Sequence, residues 1–214
     1  MEEKRLVESY RHQGRRDEFL KGRWLLHALN PEMGPVLKDT GGMPVWPEGI
    51  RGSVSHKNGH VVVVTSSEQG YPDLGIDIEI PAKISPSIQS HICHTDDLAL
   101  LTNSERSHQD VLSLIFSAKE SLFKYCYPRS QTWFGFQDAR IIEIGWAEKS
   151  FSIQLLKALP SFPSGSKFKG SFTWIESPQE RLFVTVLWGL VFPFRPSFLS
   201  PDCGRTPESL PHLP

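Results

Sequence analysis

Apolar and polar residues change period along the chain, and those changes mark out its elements. Over residues 15–29, Phe19, Leu20, Trp24, Leu25, Ala28 and Leu29 recur at helical spacing, and Asn30-Pro31 stops the helix. Residues 61–64 are four valines, apolar on both faces, as in a buried central strand. Residues 66–73 read as a turn that brings the next strand alongside as an antiparallel neighbour. In that strand Leu74, Ile76, Ile78 and Ile80 alternate with Gly75, Asp77 and Glu79, a period of two with one apolar face. Thr95-Asp96-Asp97 is placed to cap a short helix through Leu101. A long helix capped by Asp110 then covers 111–127, buries Val111, Leu112, Leu114, Ile115, Ala118, Leu122 and Phe123, and ends at Pro128. Strand-like runs follow at 139–144, 151–156, 168–175 and 182–188, separated by turns rich in Pro, Gly and Ser. A helix followed by a strand meander predicts an α+β fold, and both halves place a helix before antiparallel strands.

Composition narrows the class. The chain has 214 residues, enough for one substantial core or two small packed subdomains. We expect an N-terminal subdomain over 1–105, a C-terminal one over 106–192, and a proline-rich tail over 193–214 with little apolar periodicity, disordered or loosely docked. A net charge of −1 argues against a nucleic-acid binder, so phosphate recognition has to be local. Three scattered cysteines make no disulfide framework and point to a reducing cytosol. No apolar segment follows the charged N-terminus, and the apolar runs are too short to span a bilayer. The expectation is a soluble, cytoplasmic protein that does not enter the membrane.

Candidate chemistry concentrates where the second strand meets the second long helix. Asp77 and Glu79 leave one face of the strand, with Cα atoms roughly 6–7 Å apart. Glu120 and Lys124 stand one helical turn apart in Phe116-Ser117-Ala118-Lys119-Glu120-Ser121-Leu122-Phe123-Lys124. Together they make three carboxylates and an ammonium, a set suited to a hard cation such as Mg²⁺ or Mn²⁺ against a phosphorylated ligand. The alternative is the wet face of a strand beside a surface ion pair worth roughly 0.2–0.5 kcal/mol. Other segments are suggestive only in company. Arg16 and Arg23 are nearly aligned on the first helix, with Arg15 about 80° away, which also describes a solvated face. Gly41-Gly42 and Pro44 shape a loop after Lys38 that permits a close backbone approach. Ser55 and His56 precede the valine strand, and His91, Cys93 and His94 match no zinc spacing.

Taken together, six segments in order closely resemble the 4′-phosphopantetheinyl transferases, of the monomeric type typified by the enterobactin-synthetase and surfactin-synthetase activators. They are Arg16-Asp17-Glu18-Phe19-Leu20-Lys21-Gly22-Arg23, Gly42-Met43-Pro44-Val45-Trp46-Pro47, Gly52-Ser53-Val54-Ser55-His56, Gly75-Ile76-Asp77-Ile78-Glu79, the Phe116–Lys124 stretch and Gly135-Phe136-Gln137-Asp138-Ala139. The resemblance implies a pseudo-twofold pair of similar α/β subdomains. It implies Mg²⁺-dependent transfer of the 4′-phosphopantetheine arm of coenzyme A to a serine of an apo acyl, peptidyl or aryl carrier protein, releasing adenosine 3′,5′-bisphosphate. By the same resemblance, Asp77, Glu79 and Glu120 hold the metal, Glu120 doubles as general base, and Lys124 meets the pyrophosphate. Arg15, Arg23, Lys38, His56 and Lys119 join Lys124 on the cofactor phosphates, Ser55 is a further cofactor-binding residue, and the loop from Gly41 to Pro44, with Gly42, lies at the adenine end. Siderophore or secondary-metabolite synthesis is the implied setting. A Mg²⁺-dependent nucleotide or coenzyme A hydrolase, or a non-catalytic coenzyme A-binding module, stays open as an alternative.

Overall fold

The computed structural model describes residues 2–66, 73–102 and 104–188, so the tail expected at 193–214 lies outside the described residues. Along these the chain runs α1 (Glu2–Ser9), α2 (Gln13–Leu29), β1 (Leu37–Lys38), β2 (Pro44–Val45), β3 (Arg51–Lys57), β4 (His60–Ser66) and β5 (Leu74–Glu79). After three short 3-10 turns and the helices α3 (Gln89–Ile92) and α4 (Leu98–Thr102) come α5 (His108–Ser130), β6 (Ala139–Gly145), β7 (Ser150–Leu155), β8 (Lys167–Glu176) and β9 (Arg181–Trp188). The α+β class is as expected, and the order of helix before antiparallel strands recurs from α2 to β3–β4 and from α5 to β6–β9.

The main sheet has the order β5-β9-β8-β7-β6. Its edge strand β5 therefore comes from early in the chain and pairs antiparallel with the last strand, Asp77 opposite Thr185. This corrects the expected neighbour, because β4 is not on that ladder. β4 pairs only with β3 among the described residues, in a hairpin turned at Asn58 (φ 51) and Gly59 (φ 81). Its valines are not the middle of a sheet but a layer between two others. Val62 and Val64 pack on Ile76, Ile78, Ile80, Leu182, Val184 and Val186, while Val63 joins Leu26, Met33, Val36 and Ile50 beneath α2. Both faces are apolar because both are covered, and each valine keeps intermediate exposure.

α5 covers the opposite face of β5 and β9. It begins three residues earlier than expected, with Ser107 as N-cap accepting from Asp110 N at 3.1 Å. Pro128 sits inside its last turn, where the missing N–H costs one bond but leaves room to finish. The helix stops instead at Gln131, left-handed with φ 49. Thr95–Asp97 is a 3-10 turn capped by His94, leading into α4. The largest apolar cluster lies between α5 and β6–β9, from Leu112 and Ile115 to Phe151, Ile153 and Phe183. It also buries Cys93 and Cys126, whose thiols burial pushes up to about 11 and about 12. Among the described residues no helix is long and apolar enough to cross a membrane.

The closest approach in the fold is at Gly75. A Cβ there would lie 2.0 Å from the Ser121 carbonyl oxygen and 2.9 Å from Tyr125 N, both backbone atoms that cannot swing aside. Gly75→Ala is expected to cost about 3 kcal/mol or more by overpacking. Urea unfolding checks this, and an unchanged midpoint would show that α5 does not need the missing side chain.

Candidate active site

Period two in β5 sends Asp77 and Glu79 to the α5 face, where Glu120 and Lys124 project one turn apart. Asp77 is buried and saturated. Its Oδ1 accepts from Ser55 Oγ at 2.9 Å and from Lys124 Nζ at 2.8 Å, and its Oδ2 accepts from Ser117 Oγ at 2.9 Å. Lys124 also donates to Ser55 Oγ at 2.8 Å, closing a triangle between α5, β3 and β5. Lys57 Nζ stands 2.7 Å from Glu79 Oε2, yet that buried oxygen has no aligned hydrogen bond. Burial pushes the Glu79 carboxyl up, and Asp77 adds to the rise against the pull of Lys57. Burial raises Glu120 as well, followed by the fields of Asp77 and Glu79, with Lys124 opposing.

Three carboxylates thus share one poorly solvated space. Among the described residues no three His, Cys, Asp or Glu side chains already converge as a ligand cage, because Asp77 and Glu79 each face a lysine. The donor chemistry nonetheless fits a hard divalent cation: all oxygen, two carboxyls raised by burial and mutual repulsion, and one buried oxygen short of a hydrogen bond.

A second group, cationic, lies beside the first. His56 Nδ1 is 3.0 Å from Glu18 Oε2, and Arg15 Nη1 contacts the same ring at 2.9 Å from Nδ1. Burial and the charges of Arg15, Lys124 and Lys38 hold the imidazole below its ordinary range. Lys38 donates to the Tyr10 hydroxyl and lies over the Tyr10 ring at 4.9 Å. Lys38 also pairs across β1–β2 with Pro44, and the turn between is closed by Asp39, with Gly42 at φ 85.

Two expected phosphate ligands are placed elsewhere. Arg23 is buried, 3.2 Å from Glu3 and 4.3 Å over the Phe19 ring, where it fastens α2 to α1. Lys119 turns inward, because residue 119 falls on the helix stripe that faces the core. Its side chain is 2% exposed and donates to Asp97 at 2.6 Å, to Ile92 O at 2.8 Å and to Phe136 O at 2.9 Å. Asp97 in turn accepts from Ile141 N and His94 N, so this pair ties α5 to β6 and the 3-10 turn. The structure therefore brings together Asp77, Glu79, Glu120, Lys124 and Ser55, sets Arg15, Lys38 and His56 beside them, and leaves out Arg23 and Lys119.

Other residues escaped the sequence reading. Lys57 was legible in principle, since Ser53, Ser55 and Lys57 share one face of β3, and that face meets β5 at Ile76, Asp77 and Glu79 in order. Ser117, four residues before Ser121 on α5, is the donor to Asp77, which the motif letters do not signal. An aromatic shelf also flanks Glu120: Phe116 rests on Phe136 at 5.4 Å, and Phe123 rests on Trp133 at 4.8 Å. Trp133 is 70% exposed, which is unusual for so large an apolar surface.

Comparison with known proteins agrees with this geometry. Residues 73–182 match the 4′-phosphopantetheinyl transferase superfamily, and residues 2–66 match the 4′-phosphopantetheinyl transferase N-terminal domain. The chain belongs to the 4′-phosphopantetheinyl transferase superfamily. It is 30% identical over 142 residues to the 4′-phosphopantetheinyl transferase Npt of Nocardia iowensis, covering 63% of each chain. It is 27% identical over 146 residues to PptT of Mycobacterium tuberculosis, covering 64% of each. Enterobactin synthase component D of Salmonella typhi is 32% identical over 155 residues, which are 69% of this chain and 61% of that one. The chain thus spans about six-tenths of the length of these relatives.

Replacing Lys119 by methionine is expected to cost about 3–5 kcal/mol, because Asp97 is then left charged and buried. Chemical unfolding reads this directly. A stable Lys119→Met protein would mean that the lysine is not a structural tie.

Proposed function

We propose that this chain transfers the 4′-phosphopantetheine arm of coenzyme A to a serine hydroxyl of an apo carrier protein and releases adenosine 3′,5′-bisphosphate. The observation that carries this reading is the meeting of Asp77, Glu79, Glu120 and Lys124 at one buried face, with Arg15, Lys38 and His56 alongside. Family membership supports it, and two of the relatives named above, Npt and PptT, are 4′-phosphopantetheinyl transferases.

The serine oxygen attacks the phosphorus that bears the pantetheine arm. The bond from that phosphorus to the bridging oxygen breaks, and the bisphosphate leaves with the electron pair. Glu120 accepts the serine proton, directly or through a water, and its raised carboxyl affinity for protons suits it to that task. Lys124 donates to the pyrophosphate oxygens and steadies the leaving group, while Ser55 keeps the lysine and Asp77 in register. Arg15, His56 and Lys38 grip the remaining phosphates, and the hairpin carrying Gly42 and Pro44 lies toward the adenine. The shelf of Phe116, Phe123 and Trp133 offers the apolar part of the arm a surface next to Glu120. A Mg²⁺ or Mn²⁺ ion, held by Asp77, Glu79 and Glu120, would supply neutralisation of the charge that builds on the pyrophosphate.

The same reading places the enzyme in the cytoplasm as a monomer, with subdomains at 1–105 and 106–192 on either side of the ligand. Its carriers would be those of siderophore or secondary-metabolite assembly, given the likeness to enterobactin synthase component D.

The test is mass spectrometry of an apo carrier incubated with coenzyme A and Mg²⁺. One phosphopantetheine should be gained per carrier, at the serine. Asp77→Asn should reduce the rate at least about 100-fold with an unchanged far-ultraviolet spectrum, since it weakens the carboxylate set that would hold the cation and takes a charged partner from Lys124. Bisphosphate release without a carrier would favour a hydrolase, and tight coenzyme A binding without any transfer would favour a binding module.

A further inference from the structure

Glu18, on α2, turns its carboxylate toward the cationic group and away from β5. Its Oε2 stands 3.0 Å from His56 Nδ1 and 3.4 Å from Arg15 Nη1, and its Oε1 accepts from Gly59 N at 3.0 Å. The side chain is 13% exposed, so these contacts are well shielded from water. A carboxylate so close to a phosphate-binding group works against anion binding by simple Coulomb repulsion. Its presence needs another reason, and the hydrogen bonds supply one. A neutral imidazole has two tautomers and two ring orientations, and the partner of one nitrogen decides the state of the other. Arg15 Nη1 approaches both ring nitrogens, Nε2 the more closely, so with Nδ1–H donated to Glu18 the bare Nε2 accepts from Arg15, and the guanidinium is held against the same carboxylate.

We infer that Glu18 is a positioning residue for coenzyme A: it fixes His56 as the Nδ1–H tautomer and steers Arg15, so that both cationic partners are set before the phosphates arrive. This rests on the coenzyme A reading above. The order of the chain makes the device compact. Glu18 and Lys21 lie on one face of α2 and take the N–H and the carbonyl of Gly59, the latter at 2.9 Å, so the β3–β4 turn that follows His56 is locked to the same helix.

Electrostatics and positioning predict opposite signs, which makes the inference testable. Removing the charge with Glu18→Gln should strengthen coenzyme A binding if Glu18 acts only through its field. If it acts by positioning, the Kd for coenzyme A measured by calorimetry should rise about tenfold, as for loss of a charged hydrogen bond. The kcat at saturating coenzyme A and the KM for the carrier should both stay within about twofold. In the ligand-free wild type, nitrogen-15 spectra should show His56 protonated at Nδ1 and bare at Nε2, and Glu18→Gln should average the two nitrogens. Lys21→Ala, which loosens the Gly59 turn but keeps the Glu18 contacts to His56 and Arg15, should raise the Kd much less than Glu18→Gln does. A Glu18→Gln enzyme that binds coenzyme A as tightly as wild type, or a wild-type His56 protonated at Nε2 instead, overturns the inference. A wild type that binds no coenzyme A would overturn the functional reading, and the tautomer would still decide whether Glu18 sets the His56 ring.

Discussion

Everything at the site depends on how closely α5 can approach β5. Gly75 lacks the side chain that would press on the Ser121 carbonyl and hold the helix off the strand. At that distance three small hydroxyls replace what would otherwise be apolar packing. Thr185 Oγ1 donates to Ser117 O at 2.9 Å and lies 2.6 Å from Ser121 Oγ, and Ser117 is left to serve Asp77. A larger residue at 75 would lift the helix, and Glu120 and Lys124 would rise with it. The spacing of the charged groups is therefore set by a backbone contact rather than by the charged groups themselves.

That arrangement concentrates negative charge where water is scarce, which is unfavourable unless it is balanced. The balance is built from both sides of the strand. Lys57 comes from β3, Lys124 comes from α5, and the fields of both oppose the crowding of negative charge at Glu120. Lys119 shows the contrast. It has the same side chain and is next to Glu120 in sequence, but its neighbours are Asp97 and two carbonyls, so it stabilises the junction between helix and sheet. Five residues along the helix, about 140° of rotation, separate a lysine turned to the carboxylates from one wholly consumed by the fold.

Much of this was legible in the sequence. Period two in 74–80 and helical spacing in 111–123 placed Asp77, Glu79, Glu120 and Lys124 correctly, because both patterns are local and strong. The partner of β5 was not legible, since the choice between β4 and β9 rests on which apolar faces stack, and both candidates are rich in valine. The cap at Ser107 and the tolerance of Pro128 depend on single hydrogen bonds that several nearby residues could make. Arg23 and Lys119 were misplaced for one reason: motif letters record a residue type, whereas burial decides whether its charge is spent inside. Lys57 shows the converse, being readable from the alternation of β3 once β5 is known to lie beside it.

The pairing of β5 with β9 also bears on how the protein is made. Asp77 and Thr185 are opposite each other across a sequence separation of more than half the chain, so the strand that carries the carboxylates gains its ladder only when β9 arrives. Closing so long a loop is entropically slow, and contacts of this range delay folding. Until β9 docks, β5 has an open edge, and Ile76, Ile78 and Ile80 lack half of their covering. A chain lacking β9 would thus leave the strand that carries Asp77 and Glu79 unpaired and prone to aggregate, so the carboxylates depend on a segment far from them in sequence.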